Sequence, residues 1–267
     1  MRVGRERPVT VTIDPRAAVD RSAEIGPDVY VGPYCTIGAQ VAIGARTRLE
    51  SHVVVEGPTT IGADNVISPV VVLGGPPQDV KYRGEPTRLE IGDRNRIREG
   101  VTMHRGTEHG GGLTRVGDDN FFMVHAHVGH DCRVGSRTTF VNAATLAGHV
   151  EVGDDATIGA FSGVHQFCRV ARFAFIGGYS VVTRDALPWV LTVGNRARAY
   201  GLNVVGLRRS GYTRPTIDAI RRCYRLLFQS KLTLEEGLAR AEAELGEVEE
   251  ARYFLDFVRS SRRGVCR

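Results

Sequence analysis

The sequence predicts an all-β left-handed parallel β-helix followed by a small C-terminal α-helical domain. Three observations carry that expectation: an apolar residue recurs every six positions, a small side chain usually stands two places before it, and glycine often follows it. Reading in sixes gives Ile25, Val31, Ile37, Ile43, Leu49, Val55, Ile61, Ile67 and Leu73, with Ile13 and Val19 starting the frame. The frame resumes at Ile91, Ile97 and Met103, and again at Val116, running through Phe122, Val128, Val134, Phe140 and Leu146 to Val182. Ala23, Cys35, Thr47, Thr59, Ala126, Cys132, Ala144, Ala156, Ser162 and Cys168 hold the small positions. Neither a helical period nor a strand alternation produces a strict six. A unit of one short strand plus one corner does. Three units close a triangular coil of about 18 residues, and about 26 units make roughly nine coils.

Composition agrees. The 267 residues are 42% hydrophobic, only 7% aromatic, and include 32 glycines, which suits tight corners and small inward side chains. The net charge of +5 favours acidic partners without naming them. No stretch has the roughly 18–20 apolar residues of a membrane span. The start, Met1-Arg2-Val3-Gly4-Arg5-Glu6-Arg7-Pro8, lacks the apolar segment of a signal peptide. Five cysteines at irregular spacing give no disulfide framework, and a cytoplasmic location follows. Cys35, Cys132 and Cys168 are expected to fill the core. No zinc finger, P-loop or nucleic-acid motif is present.

The frame also has a phase. Gly129, Ala147 and His165 stack at one corner of successive coils, and His130, His149 and His165 lie within two residues of it. Coils rise by about 4.8 Å, so these side chains form a column. The frame breaks after Gly74 and after His104. The second break places His104 under Gly129. A first break of about 12 residues puts Asn65, Asn95 and Asn120 in one inward column, where stacked amides satisfy one another. Both loops, about 75–86 and 106–112, leave from the histidine corner; Pro76-Pro77 and Gly110-Gly111-Gly112 fit exposed turns. The β-helix is expected over 1–188 and the helical domain over 189–267. Ile217, Ile220, Tyr224, Leu227 and Phe228 follow helical spacing, Thr233-Leu234-Glu235-Glu236 reads as a capping box, and Val248, Ala251, Leu255 and Val258 predict a further helix.

The chemistry is expected in the run His125-Ala126-His127-Val128-Gly129-His130-Asp131-Cys132. A histidine can take a proton from a hydroxyl near neutral pH, and an acidic neighbour, here Asp131, can fix its tautomer. No G-x-S-x-G elbow or credible nucleophilic cysteine stands in the chain, so direct group transfer fits better than a covalent intermediate. A zinc site built from His125, His130 and His149, as in γ-class carbonic anhydrases, is a competing reading. A non-catalytic assembly module is a third. Arg214, Arg221, Arg222, Arg225 and Lys231 give the helices a basic face for an acidic protein.

Several runs carry a resemblance: Gln78-Asp79-Val80-Lys81-Tyr82, Gly84-Glu85-Pro86-Thr87, Ile91-Gly92-Asp93-Arg94-Asn95-Arg96-Ile97-Arg98-Glu99 and His104-Arg105-Gly106-Thr107. So do Gly110-Gly111-Gly112-Leu113-Thr114, Ala126-His127 with His130-Asp131-Cys132, Ala144-Thr145-Leu146-Ala147-Gly148-His149-Val150 and Val164-His165-Gln166-Phe167. From about Ile13 onward the chain resembles the UDP-N-acetylglucosamine O-acyltransferases, which open lipid A (lipopolysaccharide) synthesis.

The resemblance implies transfer of a 3-hydroxyacyl chain from acyl carrier protein to the 3-hydroxyl of UDP-N-acetylglucosamine. It makes His130 the general base, Asp131 its orienting partner, and the Gly148 backbone a donor to the thioester oxygen. His127, His149, His165 and Gln166 would position substrate. Gln78, Asp79 and Lys81 would reach in from the first loop, and Asn203 and Arg209 would meet the nucleotide. Gly178 matches the position that limits acyl length. A homotrimer with sites between subunits is implied, with no metal or cofactor. Val205, Ser210 and Ala160 depart from the family pattern, and the first dozen or so residues have no counterpart in it. An acyltransferase acting on a 3-amino sugar nucleotide remains the alternative within the resemblance.

Overall fold

The computed structural model describes residues 10–267; the charged start and most of the expected extension lie outside the described residues. The fold is a left-handed parallel β-helix followed by a helical domain. The described residues divide into two compact units, 10–131 and 132–267.

In the first unit every short strand pairs in parallel with the strand one coil on, as in Tyr30–Val31 with Arg48–Leu49 and Thr36–Ile37 with Val54–Val55. The regular offset between coils is 18 residues, as from Thr47 to Asn65. From Asn65 to Asn95 it is 30, and from Asn95 to Asn120 it is 25. Both insertions therefore loop out and return to register. The asparagine column forms: the Asn95 amide donates to Asn65 Oδ1 at 2.9 Å, and the Asn120 amide to Asn95 Oδ1 at 2.9 Å. The Asn65 and Asn95 side chains thus satisfy the backbone of the next coil rather than the next side-chain amide.

From Val31 to Val182 every frame residue named above is at most 4% exposed, and each such burial contributes about 1.5–3 kcal/mol. Cys35, Cys132 and Cys168 are buried thiols, as core positions require. The corners are the costly part. Asp28, Tyr34, Gln40, Arg46, His52, Asp64, Asp131 and other non-glycine residues take φ between 55° and 63°, a region that disfavours side chains by about 1–2 kcal/mol each. They fall three places after the frame residue, two places later than the corner expected from the sequence. Along one edge they alternate in charge: Arg46 pairs with Asp64 at 2.6 Å and Arg94 with Asp119 at 2.8 Å.

The second unit continues the parallel pattern, as in Thr157–Ile158 with Phe175–Ile176. Beyond Val182 the structure adds two strands the six-residue frame does not reveal. Val190–Val193 pairs in parallel with Phe175–Ile176, then turns back antiparallel as Arg198–Leu202. The burial of Val190–Val193 alternates with period two, which explains why a search in sixes passes over it. Four helices follow: α1 (Val204–Arg209), α2 (Arg214–Phe228), α3 (Leu234–Leu245) and α4 (Glu249–Arg259). The capping box at Thr233 and Glu236 is present. Trp189, Ile220, Cys223, Phe254 and Leu255 form the core of this part. The short α1 was not expected; Asn203 starts it by accepting from the Gly206 amide at 2.9 Å.

Candidate active site

Asp131 occupies a corner with φ 60°, so its side chain projects where two strands meet. Its carboxylate is 1% exposed. A charge so buried requires strong donors, and the insertion at 105–112 supplies them. The Thr107 amide donates to Oδ1 at 2.8 Å and the Thr107 hydroxyl to Oδ2 at 2.6 Å. His130 Nδ1 lies 2.7 Å from the same Oδ2, and the Asp131 amide donates to Thr114 Oγ1 at 2.7 Å. With Nδ1 donating to the carboxylate, the lone pair resides on Nε2, the state a base needs.

Two glycines make the closure possible. A Cβ at Gly110 would collide with the Asp131 carboxyl group, and one at Gly106 would come within 2.8 Å of Oδ1. The turn Glu108–Gly110 is a single 3-10 turn that ends at Gly111 with φ 97°. It carries His109 to 3.2 Å from Asp79 Oδ2, joining the second loop to the first. The Asp79 carboxyl also accepts from the Lys81 amide at 2.9 Å. Both contacts hold it below the ordinary carboxylate range, the amide contributing most. Gln78 and the Lys81 side chain lie exposed on that loop. Arg105 anchors the loop base by donating to the carbonyls of Gly57 at 3.0 Å and Gly74 at 2.6 Å.

His127 is half-buried, with Nδ1 2.7 Å from Thr102 Oγ1, and its ring meets that of His104 edge-on at 4.9 Å. Burial pushes His127 down, with repulsion from His130 adding to it. Burial, then repulsion from His127, His130 and Arg105, pushes His104 down to about 4. These histidines are therefore neutral near pH 7. His125 is different. It is exposed at the preceding corner, where its ring fills the space over Gly100.

In the second unit, Gly148 is buried and its carbonyl accepts from the Phe167 amide at 3.3 Å. The His149 ring stacks on Phe167 with centroids 4.4 Å apart. His165 and Gln166 are exposed and adjacent, with His165 Nδ1 3.1 Å from the Gln166 carbonyl. Asn203 and Arg209 line one open cleft together with Arg137, Asp155 and Phe173. Ser210 also lines it, whereas Val205 is simply exposed. Gly178 sits against Ala160: a Cβ there would meet the Ala160 carbonyl oxygen at 3.3 Å. On the helices, Arg222 pairs with Glu244 at 2.8 Å and Arg221 with Asp218, while Arg214 is 94% exposed.

Sequence reasoning missed Thr107 and His109. Their signal was the run of glycines around them in the insertion: Gly106 and Gly110 leave no room for a Cβ, while Gly111 and Gly112 take positive φ.

A β-helix with a carboxylate-held histidine at one corner fits an acyltransferase of the hexapeptide class, and the comparisons support that class. A bacterial transferase hexapeptide model of six repeats matches residues 22–57, and a model described as UDP-N-acetylglucosamine O-acyltransferase, domain 2, matches residues 185–266. LpxA from Acinetobacter baumannii is similar at 44% identity, over 96% of this chain and 99% of that one, with a TM-score of 0.93. UDP-N-acetylglucosamine O-acyltransferase (LpxA) from Moraxella catarrhalis RH4 is 43% identical over the same shares, with a TM-score of 0.93. The corresponding enzyme of Bacteroides fragilis 9343 is 36% identical over 96% and 100%, with a TM-score of 0.94. The chain belongs to the UDP-N-acetylglucosamine O-acyltransferase family. The zinc-enzyme and 3-amino-sugar readings are not favoured. Among the described residues, no helix is long and apolar enough to cross a membrane.

Proposed function

We propose that this protein transfers a 3-hydroxyacyl chain from acyl carrier protein to the 3-hydroxyl of UDP-N-acetylglucosamine, at the start of lipid A synthesis, by general-base catalysis. Family membership supports the substrates. The observation that carries the mechanism is the buried Asp131 carboxylate 2.7 Å from His130 Nδ1.

His130 Nε2 takes the proton of the sugar 3-hydroxyl as that oxygen attacks the thioester carbon. A C–O bond forms, the thioester oxygen gains negative charge, and the Gly148 amide donates to it. The C–S bond then breaks, and the imidazolium returns its proton to the departing thiolate. Asp131 stabilises the imidazolium between the two transfers. His127, His149, His165 and Gln166 position the substrate, with Gln78, Asp79 and Lys81 reaching in from the first loop. Asn203 and Arg209 hold the nucleotide, their shared cleft supporting that role. Gly178 sets the room for the acyl chain, and the Ala160 carbonyl against it supports a role in length selection.

The β-helix and the helical domain act as site scaffold and carrier-protein dock, respectively. The homotrimer, with sites between subunits, follows from the family resemblance, and the reading places the protein in the cytoplasm. The test is incubation with 3-hydroxyacyl carrier protein and UDP-N-acetylglucosamine, with mass spectrometry of the product. An O-acylated sugar nucleotide is expected from the wild type. His130→Ala should reduce its rate by about 100-fold to 10,000-fold. Retention of most activity in that variant contradicts the mechanism.

A further inference from the structure

The geometry points to Thr107 as a positioning residue that acts on His130 through Asp131. This inference rests on the reading of His130 as the base. Thr107 is 1% exposed, on the insertion between Thr102–His104 and Leu113–Val116. It grips both oxygens of the Asp131 carboxylate at once, amide on Oδ1 at 2.8 Å and hydroxyl on Oδ2 at 2.6 Å. Two points of attachment fix the plane of the carboxylate. Oδ2 is also the oxygen 2.7 Å from His130 Nδ1, so the orientation of that plane decides where the imidazole points.

The hydroxyl itself is oriented. Because its proton goes to Asp131, its lone pairs accept from the Gly110 amide at 3.2 Å, and His109 Nε2 stands 3.3 Å away. His109 is in turn 3.2 Å from Asp79 on the first loop. One threonine therefore ties the base to the inserted turn, and the turn to the loop proposed to meet the sugar. A threonine needed only to cap a single turn would not have to sit on both oxygens of a buried acid.

The predictions separate the roles. Thr107→Val keeps the shape and the backbone donor but removes the hydroxyl. It should lower kcat about tenfold, the effect of losing one hydrogen bond to a charged group, with KM for UDP-N-acetylglucosamine nearly unchanged. Thr107→Ser restores the hydroxyl and should recover most of the rate. In protein with 15N-labelled histidine, the neutral His130 ring should be the Nδ1–H tautomer in the wild type and a mixture in Thr107→Val. The tautomer requires no turnover, so it reads the positioning role in a slow variant that keeps the wild-type fold by circular dichroism. A Thr107→Val enzyme with wild-type kcat and an unmixed tautomer overturns the inference. If instead His130→Ala remains active while Thr107→Val shifts the tautomer, the base assignment fails and the positioning contact stands.

Discussion

Asp64 and Asp131 occupy the same place in the six-residue frame, three positions after the inward residue, with φ of 59° and 60°. Backbone and residue type are equal, yet the side chains do different things. Asp64 is 38% exposed and pairs with Arg46, also exposed, at 2.6 Å. That contact lowers the Asp64 carboxyl through the Arg46 hydrogen bond, and solvent screens it. Asp131 is 1% exposed because an insertion folds over it and replaces solvent with Thr107 and His130. The repeat supplies the corner. The break in the repeat supplies the chemistry.

The strongest way to break this contrast is to remove the group that Asp131 serves. His130→Ala should lose activity by the factor already given, and a ring placed at an ordinary corner, such as His52→Ala, should change the rate little. A second test acts on the insertion. Gly110→Ala should push the Asp131 carboxyl from its place, costing about 1–3 kcal/mol of stability and most of the rate. Gly111 has φ 97° but nothing within 4 Å of an added Cβ, so Gly111→Ala should cost about 1 kcal/mol in strain and little activity. Thermal melts and initial rates on the two variants decide it; equal rates would mean that the closure over Asp131 is irrelevant.

A smaller effect concerns pH. His104 is held near 4 in the fold and about 6.5 in the unfolded chain. Between those values the unfolded state binds more protons, so stability should fall as pH drops from about 6.5 towards 4. His104→Gln should flatten that part of the curve of melting temperature against pH. An unchanged slope would show that His104 is not held neutral.

Much of this was legible in the sequence. The six-residue spacing is unmistakable because every coil must bury the same face: Val31, Leu49 and Ile67 are all fully buried. The asparagine column was legible for the same reason, since only one loop length brings Asn65 and Asn95 into line. His130 and Asp131 are adjacent, so their contact needed no long-range knowledge. Thr107 was not legible as a partner of Asp131. Their 24-residue separation crosses an irregular turn whose path no period describes. Val190–Val193 and α1 were hidden because the period changes there, from six to two and then to a helix of only six residues.

The central claim is that surroundings, not position in the repeat, make Asp131 part of a catalytic pair. Measuring kcat for acyl transfer in Asp131→Asn beside Asp64→Asn tests it most directly. The account predicts a loss of about 100-fold or more for Asp131→Asn and a rate within about twofold of wild type for Asp64→Asn. Comparable rates in the two variants would contradict it.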